Sequence, residues 1–365
     1  MIDQRLPAEL AATDWGAEPE QQEQPSTFAD IEAAAEVIAA WLQPTPLIRH
    51  PLLNQRAGCD LWVKLENAQP VGSFKIRGTL NLLAALTPAQ RSVGLVTATR
   101  GNFGQALARA AALYGARCTI FVPMGNAPGK NAAMRATGAE VIERGHDFDA
   151  AWDAAARHAR RSGQPCIHPA RHRALVAGQG TVALEMLRQV SQPFDAIIVP
   201  VGGGSLAAGT ALAARRLSPH TRIIAVQAEN APAFHHAWHT GEDRAFATAP
   251  TIADGLASRI PVAYTMSVLR EHIDEFVTVS EAEIAAAIRL YLDTVHQLAE
   301  GGGAAPLAAA CKLADELSGR RVGVVLSGGN IDIPTLREVL DEAPTQHHPR
   351  AMGIYPMASL DYGSR

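Results

Sequence analysis

The chain has no block of lysine and arginine, no long apolar run and few cysteines. Its 365 residues carry 32 basic and 36 acidic side chains, for a net charge of −4. This near-balance argues against nucleic acid or an anionic membrane as a partner. No apolar stretch is long enough to cross a bilayer, and the N-terminus lacks the basic start and apolar segment of a secretion signal. We therefore expect a cytosolic protein.

The four cysteines are scattered and show no CxxC spacing. In a chain of this length, isolated thiols predict reduced core residues and not a disulfide framework. Three histidines have helical spacing, but no carboxylate or cysteine pattern accompanies His235, His236 and His239. We therefore expect no metal site there.

Strand, glycine turn and helix alternate along most of the chain. The β-branched runs 93–99, 195–201 and 321–327 each lead into a glycine-rich turn, and further strand-like runs occupy 117–123 and 222–228. Repeated units of this kind indicate an α/β fold with parallel sheets. Ligands of such sheets bind at the carboxyl ends of the strands, where these turns lie.

The two ends of the chain depart from this pattern. Residues 1–26 are polar and rich in glutamate, glutamine and proline, which predicts a flexible N-terminal arm. Ser26 or Thr27 then has the residue type of a helix N-cap. Residues 344–365 contain three prolines and predict a C-terminal tail without regular structure.

The segment GSFKIRG (72–78) places a lysine between two apolar residues just before a helical pattern. Lys75 has two interpretations. It is either a surface lysine whose stem covers apolar atoms, or an amine whose pKa is lowered by its surroundings, as suits Schiff-base formation. The residues of this segment alone leave both interpretations open.

A glycine loop, VGGGSLAAG (201–209), precedes a helical pattern. Its free backbone N–H groups at a helix N-terminus suit a phosphate. Gly202, Gly204 and Ala207 also fit the GxGxxA pattern of dinucleotide folds, but Gln227 stands where that pattern needs an acidic residue. A nicotinamide-dependent oxidoreductase stays open, although it gives the lysine of GSFKIRG no role.

Two more loops carry polar side chains at strand ends. TRGNFGQ (99–105) presents Asn102 and backbone N–H groups that suit a carboxylate. LSGGNID (326–332) presents Ser327, whose neutral hydroxyl can hydrogen-bond a ring nitrogen without fully protonating it. Each loop also fits an ordinary helix-capping turn.

Together and in this order, the motifs resemble the threonine dehydratase and serine racemase family of fold-type II (tryptophan synthase β-like) enzymes, which use pyridoxal 5'-phosphate (PLP). The likeness extends from about residue 45 to about residue 332. It includes AGQGT (177–181), TIADGLA (251–257) and AEGGGAA (299–305).

The resemblance implies two parallel-sheet domains with PLP in the cleft between them. The small domain would comprise residues 92–166, and the large one residues 27–91 and 167–343. It also implies a homodimer.

The resemblance further implies roles for individual residues of the cofactor site. Lys75 would form the Schiff base and accept the α-proton, and Phe74 would pack on the cofactor ring. Asn102 would bond the phenolic oxygen, and Ser327 the pyridine nitrogen. The phosphate would lie in a loop made of Gly202, Gly203, Gly204, Ser205 and Leu206.

An amino-acid substrate would lie against the loop Thr99, Arg100, Gly101, Asn102, Phe103 and Gly104. Arg100 stands where serine racemases have a serine that exchanges a proton. Guanidinium is rarely deprotonated, so racemisation is disfavoured. Phe103 replaces a common histidine. Some relatives bind a divalent cation through acidic residues. The corresponding positions here are near Gln227, Ala231 and Ala233, which carry no carboxylate, so we expect no metal.

These features imply a dehydratase, or ammonia-lyase, that converts a 3-hydroxy amino acid such as L-threonine or L-serine to a 2-oxo acid and ammonia by β-elimination. A bulkier or acidic substrate stays open, because Phe103 suits phenylserine and Arg100 could pair the second carboxylate of 3-hydroxyaspartate. An amino-acid racemase and a non-catalytic amino-acid sensor on the same fold are further alternatives.

Overall fold

The computed structural model describes residues 25–341, so most of the predicted N-terminal arm and the whole tail 344–365 lie outside the described residues. Ser26, the last residue assigned to the arm, is buried, and its hydroxyl donates a hydrogen bond to the Arg173 carbonyl at 2.9 Å. Thr27 caps the first helix and forms a capping box with Asp30. Within the described residues, no helix has both the length and the apolar character to span a bilayer.

The strands of the described residues alternate with helices, as the sequence predicts. The strands are β1 (Leu47–Arg49), β2 (Asp60–Leu65), β3 (Leu95–Ala98), β4 (Cys118–Val122), β5 (Glu140–Glu143), β6 (Ala196–Pro200), β7 (Arg222–Ala228), β8 (Glu275–Val279) and β9 (Arg321–Leu326).

The helices that connect and cover these strands are α1 (Phe28–Ala39), α2 (Pro51–Ala57), α3 (Lys75–Ala85), α4 (Pro88–Val93), α5 (Asn102–Leu113), α6 (Pro128–Ala136), α7 (Phe148–Ser162), α8 (Arg173–Arg188), α9 (Ser205–Leu217), α10 (Ala233–Thr240), α11 (Ala263–His272), α12 (Glu281–Val295), α13 (Gly301–Lys312) and α14 (Ile333–Asp341). Ser280 and Glu283 form the capping box that opens α12, as the sequence predicts.

The strands form two sheets. A six-stranded sheet has the order β1-β2-β9-β6-β7-β8, and a three-stranded sheet has the order β3-β4-β5. All neighbouring strands are parallel except β1 and β2. The central strand β6 is apolar and buried along its whole length, as a parallel strand covered on both faces must be. The α/β class is therefore confirmed, whereas the domain boundaries at residues 92 and 166 stay a prediction.

Helices α3, α8 and α9 approach one another so closely that only glycine fits at their contacts. A Cβ atom on Gly209 of α9 would lie 2.5 Å from the backbone nitrogen of Gly180 on α8. A Cβ atom on Gly178 would lie 2.7 Å from the carbonyl oxygen of Arg77 on α3. The AGQGT stretch therefore fixes α8 against α3, the helix that begins with Lys75.

A buried ion network joins the same helix to strand β2 and to α8. Arg77 donates hydrogen bonds to both carboxylate oxygens of Glu66 at 2.8 Å, and to those of Glu185 at 2.6 and 2.8 Å. Lys64 reaches Glu185 at 2.9 Å and the Thr45 carbonyl at 2.8 Å. Two cations and two carboxylates balance, which offsets the desolvation that burial imposes on them.

All four cysteines are unpaired, as the sequence predicts. Cys59, Cys118 and Cys166 are buried, and Cys311 is partly buried. Loss of water around each thiol raises its pKa to about 12. The thiols are therefore protonated at neutral pH and unreactive.

The ion network gives a stability prediction. Arg77→Leu should lower the free energy of unfolding by about 3–5 kcal/mol, because it leaves Glu66 buried without its cation. Urea denaturation followed by circular dichroism measures the change. The control is Arg188→Leu, which removes an ion pair with Glu32 whose side chains are 57% and 50% exposed, and should cost at most about 1 kcal/mol. Equal effects of the two substitutions would contradict the structural role of Arg77.

Candidate active site

The segment that contains Lys75 is held in place by the loop that follows β9. The backbone N–H of Phe74 donates to the Ser327 carbonyl at 3.0 Å, and that of Gly329 donates to the Gly72 carbonyl at 2.9 Å. Ser73 and Gly328 pair between these contacts as an isolated antiparallel bridge. The GSFKIRG and LSGGNID motifs, about 250 residues apart in sequence, therefore form one backbone unit.

A cavity of about 490 Å³ lies where strands of both sheets end. The loops after β3, β6 and β9 line it. The cavity brings together all the residues predicted to hold a cofactor, namely Phe74, Lys75, Asn102, Gly202, Gly203, Gly204, Ser205, Leu206 and Ser327. It also includes, from the predicted substrate loop, Thr99, Arg100, Gly101, Asn102 and Phe103.

Gly104 is the one predicted substrate-loop residue that does not line the cavity. It lies behind the loop, where an added Cβ atom would come within 2.5 Å of the Thr99 methyl group and would also overlap the Met134 sulfur. Gly104 therefore allows close packing of α5 beneath the loop. Direct substrate contact at Gly104 stays a prediction, and its close packing is the role that the structure describes.

The amine of Lys75 lies in surroundings that favour its neutral form. Its Nζ atom is 4.6 Å from the centre of the Phe74 ring. Loss of water lowers the pKa of Lys75 from 10.5 to about 8, against an opposing effect from the Glu300 carboxylate. This is the environment that the functional interpretation of Lys75 requires.

Asn102 begins helix α5 and is fixed at both ends of its amide. Its nitrogen donates to Glu300 at 2.6 Å, and its oxygen accepts from Asn330 at 2.8 Å. Burial raises the pKa of Glu300, although Lys130 and Asn102 counteract this effect. The sequence analysis did not single out Glu300. An acid placed directly before the glycine triplet of α13 was the signal that could have found it.

The glycine loop is the N-terminus of α9 and is packed without room for side chains. Gly204 has φ +83°, and a Cβ atom there would lie 2.6 Å from the Thr265 hydroxyl. A Cβ atom on Gly203 would lie 2.7 Å from Ala170. The loop thus keeps its backbone open towards the cavity, where the N–H groups of a helix start can bind an anion.

His168 is a second cavity residue that the sequence analysis missed. Its Nδ1 atom accepts a hydrogen bond from the Ala170 N–H at 3.2 Å, and its ring lies edge-on to Trp152 at 4.9 Å. Burial, with Arg171 and Lys75 nearby, holds the pKa of His168 well below its ordinary value. A neutral ring that accepts at Nδ1 carries its proton on Nε2.

Charged residues from opposite sides of the cavity meet in ion pairs. Lys130 contacts Asp254 at 2.6 Å, and Arg100 lies 4.0 Å from the same carboxylate. Arg259 pairs with Asp147 at 3.3 Å and directly with Asp149. None of these pairs was predicted, because the sequence around each of these side chains is typical of a solvent-exposed segment.

A lysine amine of lowered pKa beside an anion-binding glycine loop, in a cleft between parallel sheets, defines a site for a phosphorylated carbonyl cofactor. The chain belongs to the family described as pyridoxal-phosphate dependent enzyme, whose model matches residues 38–328. This confirms the family and cofactor that the sequence predicts.

The alignments with relatives cover most of the chain. The chain is 35% identical to an L-threonine ammonia-lyase of Thermotoga maritima, covering 87% of this chain and 78% of the relative. It is 34% identical to an L-threo-3-hydroxyaspartate ammonia-lyase of Saccharomyces cerevisiae, covering 87% and 98%. The crystal structure of serine racemase from Dictyostelium discoideum superposes with a TM-score of 0.78 at 33% identity, covering 84% and 99%.

The residues present fit PLP. The glycine loop offers backbone donors to a phosphate, Lys75 offers an amine, and Ser327 brings a hydroxyl to the same cavity. The family assignment argues against the alternative of a dinucleotide-binding fold. Gln227, which stands where that fold needs an acid, is occupied in accepting the N–H of His235 at 2.9 Å.

The pKa of Lys75 gives a labelling prediction. Only the neutral amine reacts, so reductive methylation of Lys75 in cofactor-free protein should rise with pH and be half-maximal near pH 8. In urea-unfolded protein, where water again surrounds the amine, the half-maximum should move towards pH 10.5. Peptide mapping by mass spectrometry reads both profiles. Coincident profiles would contradict the lowered pKa.

Proposed function

We propose that this enzyme is a PLP-dependent ammonia-lyase that converts a 3-hydroxy amino acid, with L-threonine and L-serine as the first candidates, to a 2-oxo acid and ammonia. The observation that carries the proposal is the position of Lys75. Its amine faces a cavity that has an anion-binding glycine loop and the Thr99–Phe103 loop in its walls. The ammonia-lyase names of the relatives support the same reaction.

Lys75 is proposed to act twice. Its Nζ atom would hold the cofactor covalently, and it would later accept the α-proton of the bound amino acid. PLP, when bound, withdraws electrons from the α-carbon and so makes that proton removable. Water leaves the substrate and is added back when ammonia is released, so the net products are a 2-oxo acid and ammonia.

The other residues would orient the reacting groups. Gly202 to Leu206 would bind the phosphate through backbone N–H groups, and Phe74 would pack on the ring. Asn102, fixed by Glu300 and Asn330, would bond the phenolic oxygen. Ser327 would bond the ring nitrogen through a neutral hydroxyl, which leaves that nitrogen largely unprotonated and favours prompt loss of the β-hydroxyl group.

Two alternatives on the same fold fit the site less well. A racemase would need a second proton donor opposite Lys75. By the family resemblance that donor would be Arg100, whose guanidinium rarely gives up its proton. A non-catalytic amino-acid sensor would not require an amine whose pKa is lowered. Both retain the cofactor, so product analysis is needed to separate them from the lyase.

The proposal extends to the setting of the enzyme. We infer a homodimer in the cytosol, with a small domain of residues 92–166 and the remainder in a large domain. The homodimer follows from the family resemblance, and the four unpaired thiols support a reducing compartment. The separate three-stranded sheet supports the small domain.

The cofactor assignment predicts a yellow protein in which borohydride fixes PLP to Lys75. Lys75→Ala should lose ammonia release by roughly 10³-fold or more, because both covalent and proton-transfer roles disappear. Absorption spectra, peptide mapping of the reduced protein and an ammonia assay check these points. Lys64→Ala does not serve as a control, because Lys64 belongs to the buried network; the exposed Lys312→Ala does, and should retain activity. An adduct on another lysine would overturn the assignment.

The position of Arg100 predicts the stereochemical outcome. The wild-type enzyme should release 2-oxo acid from an L-amino acid with negligible D-enantiomer, because guanidinium is a very weak acid. Chiral chromatography of the reaction mixture measures both products over time. Accumulation of D-amino acid at a rate comparable to that of the oxo acid would favour the racemase.

A further inference from the structure

Besides Lys75 and Glu300, six charged side chains line the cavity that contains the Thr99–Phe103 loop. Two of them lie on the segment Asp254–Ile260, one lies in the Thr99–Phe103 loop, one lies on α6, and two lie at the start of α7. The six are Asp254 and Arg259 on one side, and Arg100, Lys130, Asp147 and Asp149 on the other. They form two clusters, one around Asp254 and one around Arg259.

In the cluster around Asp254, two cations approach the same carboxylate. Lys130 lies 2.6 Å from its carboxylate, and Arg100 lies 4.0 Å away and is only weakly paired. The Nε atom of Arg100 is buried and has no hydrogen-bond partner among the described residues. Two cations therefore share one carboxylate, beside the loop proposed to bind the amino acid. The charge of Lys130 also acts on Glu300, so Arg100 is the more weakly paired of the two cations and the one left to meet an α-carboxylate.

The cluster around Arg259 has an excess of negative charge. Its guanidinium contacts Asp149 directly and Asp147 at 3.3 Å, and it also donates to the Ala247 carbonyl at 3.1 Å. Asp147 caps α7 by accepting the Ala150 N–H at 2.9 Å, and the N-terminus of this helix stabilises both acids. Two carboxylates therefore occupy the one cation, and Arg259 offers no vacant charge to a ligand.

We propose that the Asp147–Arg259–Asp149 cluster determines specificity by excluding substrates with a second carboxylate. The substrate would be a monocarboxylic 3-hydroxy amino acid whose side chain is neutral or cationic. This inference rests on the proposed lyase function and names its substrate class. It sets the chain apart from the relative named L-threo-3-hydroxyaspartate ammonia-lyase.

The physical reason is repulsion between like charges brought close together at the wall of the cavity. A dicarboxylic substrate would satisfy the Arg100 end with its α-carboxylate and bring the second one towards Asp147 and Asp149. To pair with Arg259, it would have to displace Asp149. The side chains of Asp147 and Asp149 are 23% and 45% exposed, so solvent screens this repulsion in part, but like charges placed side by side still disfavour the wrong ligand.

The kinetic test compares L-threonine with threo-3-hydroxyaspartate. Asp149→Asn frees Arg259 from one of its two carboxylates, so kcat/KM for hydroxyaspartate relative to threonine should rise by about tenfold or more, equivalent to ~1.4 kcal/mol. The matched control is Asp153→Asn, which removes the same charge from an exposed position on the same helix and should leave the ratio unchanged.

A second variant should shift the ratio in the opposite direction. Arg259→Gln removes the cation and leaves Asp147 and Asp149 uncompensated, so relative activity on hydroxyaspartate should fall further below the wild-type value. A general loosening of the site would move both variants the same way, and that result would overturn the inference. Thermal melts of both variants establish that they are folded.

A binding measurement decides the inference independently of turnover. Calorimetric titration of the PLP-loaded enzyme with butyrate and succinate compares one carboxylate with two at equal chain length. Wild type should prefer butyrate, and Asp149→Asn should reduce or reverse that preference. Wild-type use of hydroxyaspartate at the rate of threonine, or an unchanged preference in Asp149→Asn, would overturn the inference. Failure of the lyase proposal would appear differently, as absence of ammonia from every amino acid tested.

Discussion

The buried guanidinium of Arg77 is the interaction on which the active-site geometry depends. It lies two residues after Lys75 and holds two carboxylates, one from the end of β2 and one from α8. The first turn of α3 is therefore fixed on one side by the ion pairs of Arg77 and by glycine contacts with α8. On the other side, the segment before it is fixed by backbone pairing with the Ser327–Gly329 loop. Because neither side can shift alone, the amine of Lys75 projects from a rigid support.

The buried ion network around Arg77 and the ion pairs at the cavity have different roles. The network around Arg77 is neutral as a whole and has its hydrogen bonds satisfied, which is what stability asks of buried charge. The clusters around Asp254 and Arg259 border the cavity, and the second has two carboxylates for one guanidinium. An unpaired charge costs less free energy at a partly open site than in a core, and it remains able to attract or repel a charged ligand.

Sequence reasoning identified the fold and the loops at the cavity, because those depend on local patterns. Strand, glycine turn and helix recur at short range, and parallel strands bring their carboxyl ends together. Lys75, Asn102 and Ser327, which span about 250 residues, could be placed in one cofactor site because their motifs in this order resemble a known family. Glu300, His168 and Arg259 could not, because their roles arise from partners that are distant in the chain. The tight packing of Gly104 was not foreseen for the same reason, since its close neighbours include Met134 on another helix.

The cysteines have a consequence for how the molecule can be studied. Every thiol is buried or partly buried and remains protonated at neutral pH, so alkylating reagents find no ready nucleophile in the native protein. A cysteine introduced at an exposed site would be the one that reacts. The native cysteines therefore need not be replaced before a fluorophore or spin label is attached to an introduced cysteine. A pair of probes across the cleft would report the distance between the two sheets without removal of any native residue.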